Sequence, residues 1–193
     1  MKQGLLIGII FIILILFWIG WGVYSSSTAQ KTPYSLLKIL DNSVEIRQYE
    51  EQTVITTYAA DDSKAFSPLG NYIFGGNEEN KQISMTAPVV TTDSGGRIEM
   101  SFILPKEYTT DNAPKAQSDK VKISSVSGRK IATIRFSGFT TIEKVKKKEQ
   151  ELLQILKENS IEIQGSPMLF RYNDPYTPPF MRRNEIGIEV KWI

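Results

Sequence analysis

The chain contains no cysteine and no histidine. The first absence removes disulfides, thiolate nucleophiles, thiolate metal ligands and the lipid-bearing cysteine of a lipoprotein signal. The second removes Ser-His-Asp and Cys-His catalysis, ordinary zinc sites and a haem held by imidazole. A surplus of one charge is lacking too: 23 Lys+Arg against 21 Asp+Glu leave a formal net charge of +2. Nothing here draws the chain onto phosphates, so nucleic acid is not an expected partner. What remains is room for one soluble domain of about 160 residues behind an apolar opening segment.

That segment, residues 4–23, is 20 consecutive residues without a charge, long enough to cross a hydrocarbon core as helix. Trp18, Trp21 and Tyr24 gather at its end, where amphipathic rings settle in a membrane interface. The expectation is an anchor over residues 1–24, a polar tether over 25–32 and a domain over 33–193. A cleaved signal peptide competes, because Ser27-Thr28-Ala29 is a small-x-small site and Lys2 supplies a positive start. Lys2 and the amino terminus put the expected domain on the extracytoplasmic side.

Past the tether, Tyr34–Leu40, Val44–Tyr49 and Thr53–Ala59 read as strands rich in β-branched and aromatic residues. Ser67-Pro68 offers an N-cap and a first-turn proline for a short helix, with a looser turn over 62–66. Gly75-Gly76 ends that helix, since glycine takes positive φ without a Cβ clash. Ile83–Val90 and Arg97–Leu104 form a hairpin around Asp93-Ser94-Gly95-Gly96. Pro88 cannot donate to a ladder, so its strand lies at an edge, bends or carries a bulge. Pro105–Lys120 is a long loop. Val121–Val126 and Lys130–Phe136 are expected to pair around Ser127-Gly128. Thr140-x-x-Glu143 is a capping box for a second helix, whose apolar stripe is Ile142, Val145, Leu152, Leu153 and Leu156 and whose lysines 144 and 146–148 form a solvated face. Ile161–Ile163, Met168–Tyr172 and Glu185–Trp192 complete a strands, helix, strands pattern that occurs twice.

Three signatures stand in one order: Gly75-Gly76-Asn77, Met85-Thr86-Ala87-Pro88-Val89 and Arg182-Arg183-Asn184-Glu185. With Tyr34, the Val44-to-Tyr49 run, Phe136-Ser137-Gly138 and Tyr172-to-Pro175, they make residues 33–193 resemble the SOUL haem-binding protein family. The resemblance implies an α+β fold of duplicated strand-helix-strand units, forming a curved antiparallel sheet or distorted β-barrel with two packed helices. Here one transmembrane helix would precede it. It also implies haem or a related tetrapyrrole as ligand, held without catalysis for sequestration or transfer.

The histidine ligand proposed for some family members does not carry over. Iron is left with a phenolate, a thioether or no protein ligand, and Tyr49, Tyr58, Tyr72, Met85, Met168 and Met181 are available, with no spacing that selects one. The expected cleft wall is Phe66, Leu69, Tyr72 and Ile73, faced by Phe180 and Met181 of the Pro-rich loop, with Met85 a contributor. The same residues also read as ordinary core. Arg182 or Arg183 could pair with propionates, or form a structural ion pair with Glu185 or Glu45. Two other readings stay open. The fold is broadly similar to GyrI-like ligand-binding domains, in which Glu185, if enclosed beside a tyrosine, would act as recognition group or general base. The domain could instead be a membrane-tethered module for a protein partner.

Overall fold

The computed structural model describes residues 2–40 and 44–192, with side chains for 6–24, 29–40 and 44–192. It opens with α1 (Lys2–Thr28). Large apolar side chains on this helix, such as Ile7, Phe11 and Leu14, are exposed. A helix that is apolar all round and packs on little is a candidate membrane span, although a signal sequence shares those features. The helix runs through the first part of the expected tether. Directly after it β1 (Gln30–Lys31) pairs parallel with β5 (Thr86–Ala87) in a small two-stranded sheet.

The main sheet has ten strands. From the first half come β2 (Ser35–Leu40), β3 (Val44–Tyr49), β4 (Gln52–Ala59), β6 (Val89–Ser94) and β7 (Arg97–Ile103). From the second come β8 (Lys122–Val126), β9 (Arg129–Phe136), β10 (Glu162–Ile163), β11 (Met168–Arg171) and β12 (Asn184–Lys191). The order is β2-β3-β9-β12-β11-β6-β7-β4-β8, with β10 beside β12. Among the described residues this path has two ends, so the sheet is antiparallel and open, and the closed barrel does not stand. Two helices cover it. α2 (Asp62–Ile73) packs on β4 and β7 through Leu69, Tyr72 and Ile73, and α3 (Ile142–Glu158) packs on β9 and β12 through Leu152 and Leu156.

α2 starts well before the expected Ser67 cap. The Asp61 carboxylate accepts from the Lys64 N–H at 2.9 Å, and Pro68 lies inside the helix. Proline there forfeits one backbone bond. Ala65, Leu69, Tyr72 and Ile73 bury one face at helical spacing, and this packing carries the helix through. Its end is a Schellman motif, with Gly76 N–H donating to Asn71 O at 2.8 Å, Gly75 N–H to Tyr72 O at 3.4 Å and Gly75 at φ 107°. Asn77, fully buried, then donates to Tyr72 O and Lys81 O and accepts from Lys81 N–H.

Pro88 divides the expected strand into β5 and β6, which belong to different sheets. β6 and β7 form the expected hairpin, with Gly95 and Gly96 both at positive φ. β8 and β9 do not pair. Neither Ser127 nor Gly128 takes the positive φ that a tight hairpin needs, and a Cβ on Gly128 would sit 3.1 Å from Tyr49 O. The strands instead form a bent ribbon against β3 and β4, in one register through the corner: Tyr49 opposes Arg129 and Gln52 opposes Val126. α3 is capped by Thr141, one residue beyond the expected position. Val145, Leu152, Ile155 and Leu156 face the core, while Ile142 and Leu153 are exposed.

Candidate functional site

On β12, Ile186, Ile188 and Val190 face α3, so Glu185 falls on the opposite face, as alternation requires. That face is not solvent here. Tyr49, Ile131, Phe170 and Tyr172 close over it, and Glu185 is fully buried. Arg47, from β3, grips its carboxylate with Nη1 donating to Oε2 at 2.6 Å and Nη2 to Oε1 at 3.0 Å. Arg183 donates from Nε and Nη2 to Oε1 at 2.9 and 2.7 Å, and Tyr172 Oη donates to Oε2 at 2.9 Å. The guanidiniums stack in turn, Arg47 on Tyr34 at 4.3 Å and Arg183 on Tyr172 at 4.1 Å.

Burial alone would raise the Glu185 pKa, but the hydrogen bonds and charges of Arg47 and Arg183 outweigh it and hold the carboxyl below its ordinary value. Burial and the adjacent carboxylate push the Tyr172 phenol strongly upward, so it stays a donor. Glu185 is therefore enclosed beside a tyrosine, yet its pKa moves opposite to that of a general base, and five donors already occupy its oxygens. The arrangement holds β3, β11 and β12 together. A group so fully used has no lone pair left for substrate.

A cleft of about 1000 Å³ adjoins this cluster through Tyr172, and lies between the first turns of α2, the segment from Ser84 to Val89, and the chain after β11. Phe66, Met85, Val89 and Met100 supply an apolar lining, while Asp62, Arg171 and Asp174 supply charge. Arg171 binds the Asp62 carboxylate through two nitrogens, at 2.6 and 3.0 Å, and Thr91 Oγ1 at 2.8 Å. The pair ties the start of α2 to β11. Among the described residues no group of three or more acidic side chains is placed to hold a metal ion.

A family model described as SOUL heme-binding protein matches residues 29–189. The chain belongs to the SOUL family. No curated protein sequence matches it. Solved structures resemble this SOUL protein in fold. The EcmrR C-terminal domain has a TM-score of 0.58 at 13% identity, covering 83% of this chain and 99% of that one. A protein from Listeria innocua described as an uncharacterized conserved protein has a TM-score of 0.59 at 11% identity, with 77% and 92% covered. Another from Listeria innocua, described as a hydrolase, has a TM-score of 0.56 at 10% identity, with 77% and 92% covered.

Within the SOUL domain the residues singled out from sequence are scattered over several places. Phe66 and Met85 line the cleft. Leu69, Tyr72 and Ile73 lie in the core beneath α2, where Tyr72 Oη donates to Pro114 O at 2.7 Å; burial, then the nearby Tyr108 and Glu79, push its pKa up to about 12. Phe180 and Met181 stand in a 3-10 turn (Pro179–Met181), where Phe180 is exposed and Met181 meets α1 at Gly22. Arg182 donates to Thr177 O and Pro175 O and stacks on Phe139, while Arg183 forms the structural pair with Glu185. Of the six candidate iron ligands, Met85 alone lines the cleft. Tyr58 and Met168 line a separate groove of about 440 Å³. Arg171 and Asp62 carry no local signal; 109 residues separate them, and only the placement of β11 beside β6 brings them together.

Proposed function

We propose that this SOUL protein binds haem or a related tetrapyrrole in the cleft beside α2, for sequestration or transfer and not for catalysis. The observation that carries this reading is the cleft itself. Its volume lies at the upper end of the range for small-molecule sites, and Phe66, Met85, Val89 and Met100 give it the apolar walls that a large flat ligand needs. These residues fit a tetrapyrrole, and Met85 is the side chain suited to meet iron with sulfur. When bound, haem would supply the redox and axial-ligand chemistry. The chain supplies apolar walls; Arg171, the cation among the lining residues, is held by Asp62 and Thr91, so a carboxylate of the ligand would compete with Asp62 for it. Catalysis is not favoured, because the carboxylate that would serve as base is spent between two arginines.

Two further points belong to the same reading. α1 acts as a retained anchor, with the domain on the extracytoplasmic side, which the uncharged span and Lys2 support. The domain is a duplication, which the strand pairing supports: β4 with β7, β6 with β7 and β4 with β8 recur as β9 with β12, β11 with β12 and β9 with β3.

The test is a haem titration of the full chain in detergent. A saturable Soret band is expected, weakened several-fold by Phe66→Ala and by Met85→Ala and left unchanged by Phe180→Ala. Absence of any saturable Soret change, with no quenching of tryptophan emission, overturns the reading. N-terminal sequencing of the protein recovered from membranes decides between anchor and cleaved signal.

A further inference from the structure

The segment from Asp174 to Met181 meets α1 within its apolar stretch. Trp18 Nε1 donates to Tyr176 O at 2.7 Å, and a Cβ on Gly22 would touch Pro178 and Met181. Phe17, Trp18, Trp21, Pro175 and Tyr176 line an apolar groove of about 570 Å³ between the two. A second loop joins this edge: Gly138 N–H donates to Pro179 O at 2.9 Å, and Arg182 stacks on Phe139 at 5.0 Å. Three large rings on these loops point into solvent, with Tyr176 73%, Phe180 67% and Phe139 59% exposed.

We propose that these two loops form a lipid-seating surface, with Tyr176, Phe180 and Phe139 inserted in the interface of the bilayer that α1 crosses. The inference rests on the reading of α1 as an anchor. What selects lipid as the occupant is continuity with that helix. Trp18 lies six residues before Tyr24, the last residue of the candidate span, which places Tyr176 about 9 Å below the end of the span at 1.5 Å per residue. That depth is within the roughly 5–10 Å to which interfacial elements settle, and it matches the level where an amphipathic ring such as that of Tyr176 collects, with Phe139 and Phe180 adding wholly apolar surface beside it. Arg182, held beside Phe139, adds a cation at the level of the headgroups. Pro175 lines both the groove and the ligand cleft, so this seating brings the mouth of the cleft to the membrane surface.

The natural lack of cysteine makes the test direct, because single cysteines can be placed on a silent background. Tyr176→Cys, Phe180→Cys and Phe139→Cys in the full chain, with Lys120→Cys as a distant exposed control and Ile13→Cys within the span, are spin-labelled and reconstituted into vesicles of phosphatidylcholine and phosphatidylglycerol. Labels at 139, 176 and 180 should collide several-fold less with a water-soluble relaxation agent, and more with oxygen, than the label at 120. Equal accessibility at these sites and at 120, with 13 protected, overturns the seating while leaving the anchor intact. Accessibility at 13 itself overturns the anchor and the seating with it. Protection at 139, 176 and 180 that is lost as the protein-to-lipid ratio of the vesicles is lowered marks a protein-protein contact and also overturns the proposal. All three loop positions are exposed, so labelling does not threaten the fold.

Discussion

Around Glu185 the side chains of Arg47, Tyr49, Tyr172 and Arg183 converge, and each finds its partner inside the protein. The cleft beside α2 differs in kind: Phe66 and Met85 offer apolar surface, and its charged groups, Asp62 and Arg171, pair across the rim instead of closing over it. Both regions draw on residues of the family signatures, yet one is filled and the other leaves room. Charge taken out of water must be matched by charge at close range, so a buried carboxylate between two guanidiniums reads as architecture and not as chemistry. A ligand site is found where packing stops short.

The sharpest way to break this contrast is Glu185→Gln. It leaves Arg183 without that counter-charge and Arg47 with Glu45 alone, at 2.7 Å, in a buried place, a loss of about 3–5 kcal/mol that should lower Tm by roughly 10 °C in a thermal melt. A triple change of Glu185, Arg47 and Arg183 to apolar residues of similar size should lose less stability than the single one, whereas a functional role for the carboxylate would have both variants lose ligand binding while Tm stays nearly unchanged. Next comes Leu69→Ala, expected to cost about 2–5 kcal/mol because Leu69 is fully buried beneath α2. A cost under about 1 kcal/mol would instead place Leu69 on a cleft wall.

A pH series separates the two regions further. The Glu185 pKa is lowered on folding, so its stabilisation is complete above the unfolded-state value of about 4.3 and is lost as pH falls through the folded-state value below it. Tm should therefore drop steeply on acidification below about pH 4.3, and the Glu185→Gln variant should show a shallower drop over the same window. Met85→Ala should move Tm little, with its effect appearing as weaker haem binding in the Soret titration. At the small end, Lys147→Gln on the solvent face of α3 should change stability by about 0.5 kcal/mol or less in the same melts.

Much of the fold could be read along the chain, because alternation in strands and helical spacing are local. The strands at 44–49 and 53–59, the hairpin at Gly95-Gly96 and the glycine end of α2 all follow from such patterns. Two misreadings and one question left open share one cause. Ser67-Pro68 has the composition of a helix start, but the burial of Ala65 belongs to the same face as Leu69 and outweighs the bond lost at Pro68. Ser127-Gly128 has the composition of a hairpin, but β8 and β9 find better partners in β4 and β3. Glu185 shares the face of the exposed Lys191, but whether that face meets water depends on Tyr49 and Tyr172, which arrive from other strands.

Aromatic and thioether side chains mark apolar walls, and Phe66 and Met85 do line the cleft, yet Leu69, Tyr72 and Ile73 have the same character and lie in the core. Composition says what a side chain prefers, and it does not say on which side of a helix space has been left.

The sequence by itself determined what this protein lacks: imidazole and thiolate chemistry are excluded by residue identity, which no fold can alter. It also determined the apolar opening helix and the SOUL membership, since the first is a property of a continuous stretch and the second of ordered motifs. Only the tertiary structure decided that Glu185 is an anion locked between Arg47 and Arg183, and that Phe66, Met85 and Arg171 share a cleft. Burial and long-range pairing set local dielectric, available volume and charge partners, and those quantities exist only once distant strands have been brought side by side.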